Sequence, residues 1–232
     1  MINRMIKFFK DHSCFLFGPR GVGKSTLVQH VFHDSFSVNF SLLKTEIRER
    51  FLRNPDELAQ IVRALPEHIT HIVIDEIQKA PMLLDVVHDL IESTDKHFIM
   101  TGSSARKLKA GGVNLLAGRA LVHQLHPFSV FEIEDKFSLE EALQWGLLPK
   151  IFEYSDNDIK MRYLQSYAHT YLKEEIWEEQ IVKNLEPFRR FLEVAAQTNG
   201  KIINYSNISR DVGANDKTIK SYYAILEDTL VG

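Results

Sequence analysis

Gly18-Pro19-Arg20-Gly21-Val22-Gly23-Lys24-Ser25-Thr26 is the stretch from which the rest of this chain is read. It fits the pattern G-x-x-x-x-G-K-[ST] and lies between an apolar run, Cys14-Phe15-Leu16-Phe17, and an amphipathic segment that begins at Ser25. Strand, glycine-rich loop and helix in that order make a cradle for phosphate. Several backbone N–H groups must face one anion at once, and Gly18, Gly21 and Gly23 let the chain curl without Cβ clashes. The helix adds its unpaired N-terminal N–H groups and the positive end of its dipole. Lys24 supplies a mobile positive charge for the β- and γ-phosphates, and the Ser25 hydroxyl is placed to ligate Mg²⁺. Pro19, Arg20, Val22 and Thr26 complete the expected contact run. The blander alternative is a glycine-rich turn ahead of a helix.

Downstream, Ile69-Thr70-His71-Ile72-Val73-Ile74-Asp75-Glu76 is β-branched and almost wholly apolar until it ends in two carboxylates. A strand buried on both faces of a parallel sheet reads this way, and open α/β sheets bind ligands at their strands' C-terminal edge. Asp75 is expected to hold Mg²⁺, and Glu76 to orient and polarise an attacking water. The strand His97–Met100 runs into Thr101, Gly102, Ser103 and Ser104, so Thr101 and Ser103 are candidates to touch the γ-phosphate or its water; capping of the next helix is the alternative. Arg119 precedes a fifth strand, Ala120 to Leu125. It either neutralises charge on a γ-phosphate, in its own chain or a neighbouring subunit, or forms a structural ion pair.

Alternation of strands and helices continues through this region: Leu27, Val28, Val31 and Phe32 on one helix, a strand near Phe36–Phe40, a helix carrying Ile47 and Phe51, and another opened by Asn54-Pro55-Asp56-Glu57 with Asn54 as cap. The pattern predicts a parallel, doubly wound α/β sheet. Past Pro127 it turns helical: short helices near 129–134 and 139–145, a break at Gly146-Leu147-Leu148-Pro149, and a long helix from Ile159 to Val182. Tyr163, Leu164, Tyr167, Tyr171, Leu172 and Ile176 form its core stripe, with Glu174, Glu175, Glu178 and Glu179 on a solvated face. At the end, Tyr205–Val212, the turn Gly213-Ala214-Asn215 and a helix from Asp216, with Asp216 as cap, follow the helix-turn-helix layout. Lys217, Thr218 and Lys220 could meet DNA there; a lid that never touches DNA is the alternative.

Of 232 residues 44% are hydrophobic, and the net charge is −3, so no overall pull toward nucleic acid or acidic membrane arises; such binding must be local. The single cysteine, Cys14, excludes an intrachain disulfide and sits in an apolar run, as a buried hydrophobe does. No apolar run reaches membrane-spanning length, which leads to the expectation of a cytoplasmic protein with no membrane partner. The scattered histidines show no zinc-site pattern.

In order, Gly18–Thr26, Ile72–Gln78, Thr101–Ala105, Leu116–Arg119, Gly146–Pro149 and Thr218–Tyr222 resemble the motifs of a group of prokaryotic AAA+ type P-loop ATPases. The resemblance covers essentially the whole chain. It implies an additional-strand (ASCE) NTPase domain over residues 1–155, a helical lid and linker over 156–198, and a partial winged helix over 199–232. It also implies ATP rather than GTP, in keeping with the lack of an N-K-x-D guanine-reading motif, with Mg²⁺ as cofactor and Lys24, Glu76, Ser103 and Arg119 in catalytic roles. Homo-oligomers, double-stranded DNA and a further protein are the partners to expect. In that group a wing and a nuclease-like domain follow, whereas this sequence ends at Gly232 just after the expected recognition helix, so activity carried by such a domain is not expected of it.

Overall fold

Parallel pairing of short, apolar strands organises the first half of the chain. The computed structural model describes residues 2–33, 35–103, 108, 116–171, 176 and 185–229. Among them the strands are β1 (Ser13–Phe17), β2 (Ser37–Ser41), β3 (His71–Asp75), β4 (His97–Gly102) and β5 (Ala120–Gln124). They form one sheet in the order β2-β3-β4-β1-β5, with every pair parallel. β1 and β3 are buried along their whole length, as strands covered on both faces must be. Cys14 lies inside, where burial pushes its thiol pKa up to about 12.

Parallel neighbours need crossovers, and helices α1 (Lys24–Val31), α2 (Thr45–Arg53), α3 (Asp56–Arg63) and α4 (Leu83–Ser93) lie on those connections. Each buries apolar side chains: Leu27 and Val28 on α1, Phe51 on α2, Leu58 and Val62 on α3, and Leu83, Leu84, Val87 and Leu90 on α4. The start of α3 differs from expectation. Pro55, not Asn54, occupies the cap and no side chain closes it, while Glu57 turns away to pair with Arg50. A 3₁₀ turn, Leu116–Gly118, leads into β5, and α5 (Leu139–Trp145) follows with Ser138 as cap.

The chain divides into two units, Met1–Glu153 and Tyr154–Gly232. In the second, α6 (Asn157–Thr170) begins where Asp156 accepts from the N–H groups of Asp158 and Ile159. Helices α7 (Leu185–Gln197), α8 (Tyr205–Val212) and α9 (Asp216–Asp228) share a core of Phe188, Phe191, Ile208, Val212, Ile219 and Tyr222, joined by Tyr171 and Ile176 of the expected core stripe. Tyr222 stands edge-on to Phe188 with ring centroids 5.0 Å apart, a favourable quadrupole arrangement. Gly213 turns α8 into α9 with φ of 74°. Asn215, rather than Asp216, caps α9; its side chain accepts from the Thr218 N–H, and Asp216 takes the Ser206 hydroxyl at 2.6 Å.

Ser104, Ala105, Gly111, Gly112, Leu115, Leu172, Glu174, Glu175, Glu178, Glu179, Val182 and Gly232 lie outside the described residues. No helix among the described residues is long and apolar enough to cross a membrane.

Candidate nucleotide site

Strand order sets this site. β4 stands between β1, which feeds the glycine-rich loop, and β3, which ends in Asp75. The registers Leu16↔Thr101 and Ile74↔Met100 bring the ends of all three strands to one edge. Two strand spacings, about 10 Å, therefore separate loop and acid, and side chains close the gap.

The glycines of the loop serve two different needs. Gly21 and Gly23 have φ of 74° and 91°, a left-handed backbone that a Cβ would strain. Gly18 is needed for proximity instead, since a Cβ there would stand 2.2 Å from the Leu125 carbonyl oxygen at the exit of β5. α1 then starts at Lys24, and its first turn faces the loop. Lys24 is buried, and its Nζ donates to the carbonyls of Gly18 at 2.7 Å and Pro19 at 3.1 Å. Ser25 donates to Asp75 Oδ1 at 3.1 Å, with Oδ2 at 3.3 Å.

Behind Asp75 stands Thr101, fully buried. Its hydroxyl donates to Asp75 Oδ1 at 2.5 Å and accepts from the Glu76 N–H at 3.2 Å, so one side chain fixes both acids' positions. Glu76 itself has φ of 62° and ψ of 50°, a conformation costing a residue with a Cβ about 1–2 kcal/mol. Such strain concentrates at functional sites. The Glu76 carboxylate accepts a short hydrogen bond from Gln78 Nε2, which also donates to Ser103 Oγ at 3.4 Å. Gln78 is buried, and its Oε1 has no hydrogen-bond partner.

Of the residues expected from sequence, Lys24, Ser25, Asp75 and Glu76 come together. Of the two hydroxyl candidates, Thr101 is the one that touches the acids, while Ser103 reaches them only through Gln78. Arg119 is not brought here. The register Ser13↔Ala120 puts it at the start of β5, while the loop follows the end of β1, so a strand's length of about 16 Å separates them. Its Nε is paired closely with Glu92 at the end of α4. Strand direction places Arg119 at the edge of the sheet opposite the loop.

Three further contributors were not among the site residues expected from sequence. Gln78 is one; Arg4 and Glu132 are the others. Arg4 Nε pairs with Glu132 Oε1 at 2.9 Å, with the two side chains only 7% and 6% exposed. Burial alone would raise the Glu132 carboxyl, but the N–H groups of Ser129 and Met5 and the Arg4 guanidinium together hold it below its ordinary value. Beside the loop a cavity of about 450 Å³ opens, lined by Arg4, Val22, Gly23, Thr26, Phe128 and Phe152 among others. Its size and its apolar walls with a few polar groups are those of a small-molecule pocket.

The donor set suits Mg²⁺. Hydroxyl and carboxylate oxygens are what this hard cation takes, and it commonly uses one or two carboxylates together with substrate phosphates. Among the described residues no group of three or more His, Cys, Asp or Glu could hold a metal unaided.

Residues 10–134 match the family model described as an AAA domain. The chain belongs to that AAA domain family. Its AAA domain carries the parallel sheet of an α/β P-loop NTPase, and the family's members are generally nucleotide-binding ATPases. Residues 136–232 match a domain of unknown function. No curated protein matches the sequence. Among solved structures the chain is similar to the Orc1 protein of Aeropyrum pernix in complex with DNA, at 12% identity and a TM-score of 0.38, over 94% of this chain and 78% of that one.

Proposed function

We propose that this AAA domain binds ATP with Mg²⁺ and hydrolyses it to ADP and phosphate. The observation that carries the reading is the convergence of Ser25, Asp75, Thr101 and Glu76 opposite the loop. Gly18 to Thr26 cradle the triphosphate, and the Lys24 ammonium exchanges the carbonyls of Gly18 and Pro19 for phosphate oxygens. Mg²⁺, held by Ser25 and Asp75, would neutralise charge on the phosphates. Glu76 takes a proton from the attacking water, while Gln78 keeps its carboxylate in place and Ser103 stands behind Gln78. The cavity beside Gly23 and Thr26 accommodates the adenine.

Arg119, exposed at the far edge of the sheet, would serve a neighbouring subunit's nucleotide in a homo-oligomer. Mass in solution with and without ATP tests this: assembly supports it, and a monomer in both conditions contradicts it. In the cytoplasm, where ATP is abundant, nucleotide state would move the lid at 156–198 and the helices that follow it, coupling hydrolysis to a further protein partner. Turnover of wild-type chain against Glu76→Gln tests the enzyme reading itself.

A second reading is favoured by α8 and α9. Arg210, Lys217 and Lys220 are exposed around the Gly213 turn, so the pair would present charge to duplex DNA as part of a winged helix, with hydrolysis as slow timing. Salt-dependent duplex binding that weakens on charge reversal at Lys217 and Lys220 supports it; binding unaffected by those changes contradicts it.

A further inference from the structure

Arg4 spends every nitrogen of its guanidinium on separate parts of the first unit. Nε meets Glu132, Nη1 donates to the Val22 carbonyl at 2.8 Å, and Nη2 donates to the His126 carbonyl at 2.5 Å. The flat face lies over the Phe128 ring, 4.9 Å from its centroid. Glu132 in turn accepts from the N–H groups of Met5 and Ser129, so its carboxylate holds the first residues of the chain against the segment after β5.

The Val22 contact is the one with chemical consequence. The Val22–Gly23 peptide is trans, so its carbonyl and N–H point to opposite sides. Anchoring the carbonyl on Arg4 turns the Gly23 N–H away from Arg4 and fixes it there, in a residue whose left-handed φ of 91° leaves glycine free to turn otherwise. That N–H immediately precedes Lys24, where the anion cradle needs a donor.

We propose that Arg4 is a positioning residue for the nucleotide's phosphates: it orients the Val22–Gly23 peptide so that the loop is set for the anion before the ligand arrives. This rests on the ATP-binding reading of the loop. A planar fork is required, because three acceptors lie in different directions and a lysine ammonium cannot span them. Arg4 also lines the cavity beside the loop, so an effect through the base must be separated from an effect through the phosphates.

Calorimetry with Mg²⁺-ATP and with Mg²⁺-tripolyphosphate, which has neither base nor sugar, makes that separation. Three proteins are compared: wild type, Arg4→Lys, and the double variant Arg4→Gln with Glu132→Gln, which leaves no buried charge unpaired. The expected result is that both ligands bind about tenfold more weakly to both variants, a loss of the size set by one charge-assisted hydrogen bond, while thermal melting stays cooperative. Unchanged tripolyphosphate affinity in a folded variant overturns the proposal, whether or not ATP weakens, since Arg4 would then only wall the cavity or hold the chain's first residues. Failure of both variants to fold overturns it too, assigning Arg4 to stability alone. The ATP-binding reading fails separately and earlier, if wild type binds neither ligand, and the proposal then falls with it.

Discussion

Ser25 and Asp75, fifty residues apart in the chain, are joined by a hydrogen bond of 3.1 Å across the end of the sheet. One comes from the first turn of a helix and the other from the tip of a strand two places away in the sheet. Their union turns two ordinary local motifs into one site with oxygen donors on both sides.

Replacing Glu76 by Gln keeps the shape of the side chain and removes its basicity. ATP affinity should remain within about threefold of wild type, while turnover falls by about 10²–10⁴-fold, the usual worth of a general base. Single-turnover phosphate release measures this. Hydrolysis at the wild-type rate would place the base elsewhere.

Thr101→Val keeps the shape of a fully buried side chain but deprives Asp75 of one of its two hydroxyl donors and the part-buried Glu76 N–H of its acceptor. Asp75 keeps the Ser25 hydroxyl, so the main loss is the acceptor of the Glu76 N–H, which costs about 1–3 kcal/mol if it goes unmatched. The variant should melt several degrees below wild type and need more Mg²⁺ for half-maximal activity. A melt and a Mg²⁺ profile that both match wild type would show that Thr101 only fills space.

Two alanine substitutions should part company. In Gly18→Ala the new Cβ meets the backbone oxygen of Leu125 at 2.2 Å, which cannot yield without shifting β5, so stability should drop by about 1–3 kcal/mol or more. In Gly102→Ala it meets the end of the Gln78 side chain at 2.7 Å, which can move. Moving Gln78 releases Glu76, so this variant should remain folded yet turn over slowly. Denaturant melts together with turnover decide the matter; the reverse pattern would mean that Gln78 does not hold Glu76.

Acid should weaken the first unit in two stages. Burial holds His71 below its ordinary value of 6.5, with the charges of His97 and Lys10 adding to the effect against the Lys10 carbonyl and Asp11. Burial does the same for His123. With both depressed, the unfolded chain takes up protons first, so stability present above about 6.5 is lost as pH falls through the folded values. Glu132, also depressed, adds a later loss below its ordinary 4.5. Urea midpoints measured from pH 8 downward should decline through the first range and again through the second. A midpoint that rises on acidification would reverse the sign of both assignments.

Local motifs were legible because their physics is local. Gly18 to Thr26 announce a curled backbone and a helix start, and Ile72 to Glu76 announce a buried strand ending in acid. Strand direction was legible as well, and it would have placed Arg119 at the edge opposite the loop: the arginine precedes a parallel strand, whereas the loop follows one. Which polar residue caps a helix was not, because Asn54 and Asp216 each compete with a neighbour and the outcome depends on partners such as Ser206. The Ser129-x-x-Glu132 spacing is that of a capping box and places Glu132 locally, but its link to Arg4 could not be read. Their pairing spans 128 residues, and no spacing rule joins a lone arginine near one end to a glutamate beyond the last strand.

Calorimetric titration of Mg²⁺-ATP into the wild-type chain and Lys24→Ala, side by side, tests the central claim most directly. The account predicts saturable one-to-one binding by wild type, and a loss of at least about 2 kcal/mol of binding free energy, in the range of hydrogen bonds to charged groups, when the ammonium is removed. Equal affinity in the two proteins, or no binding by either, would contradict it.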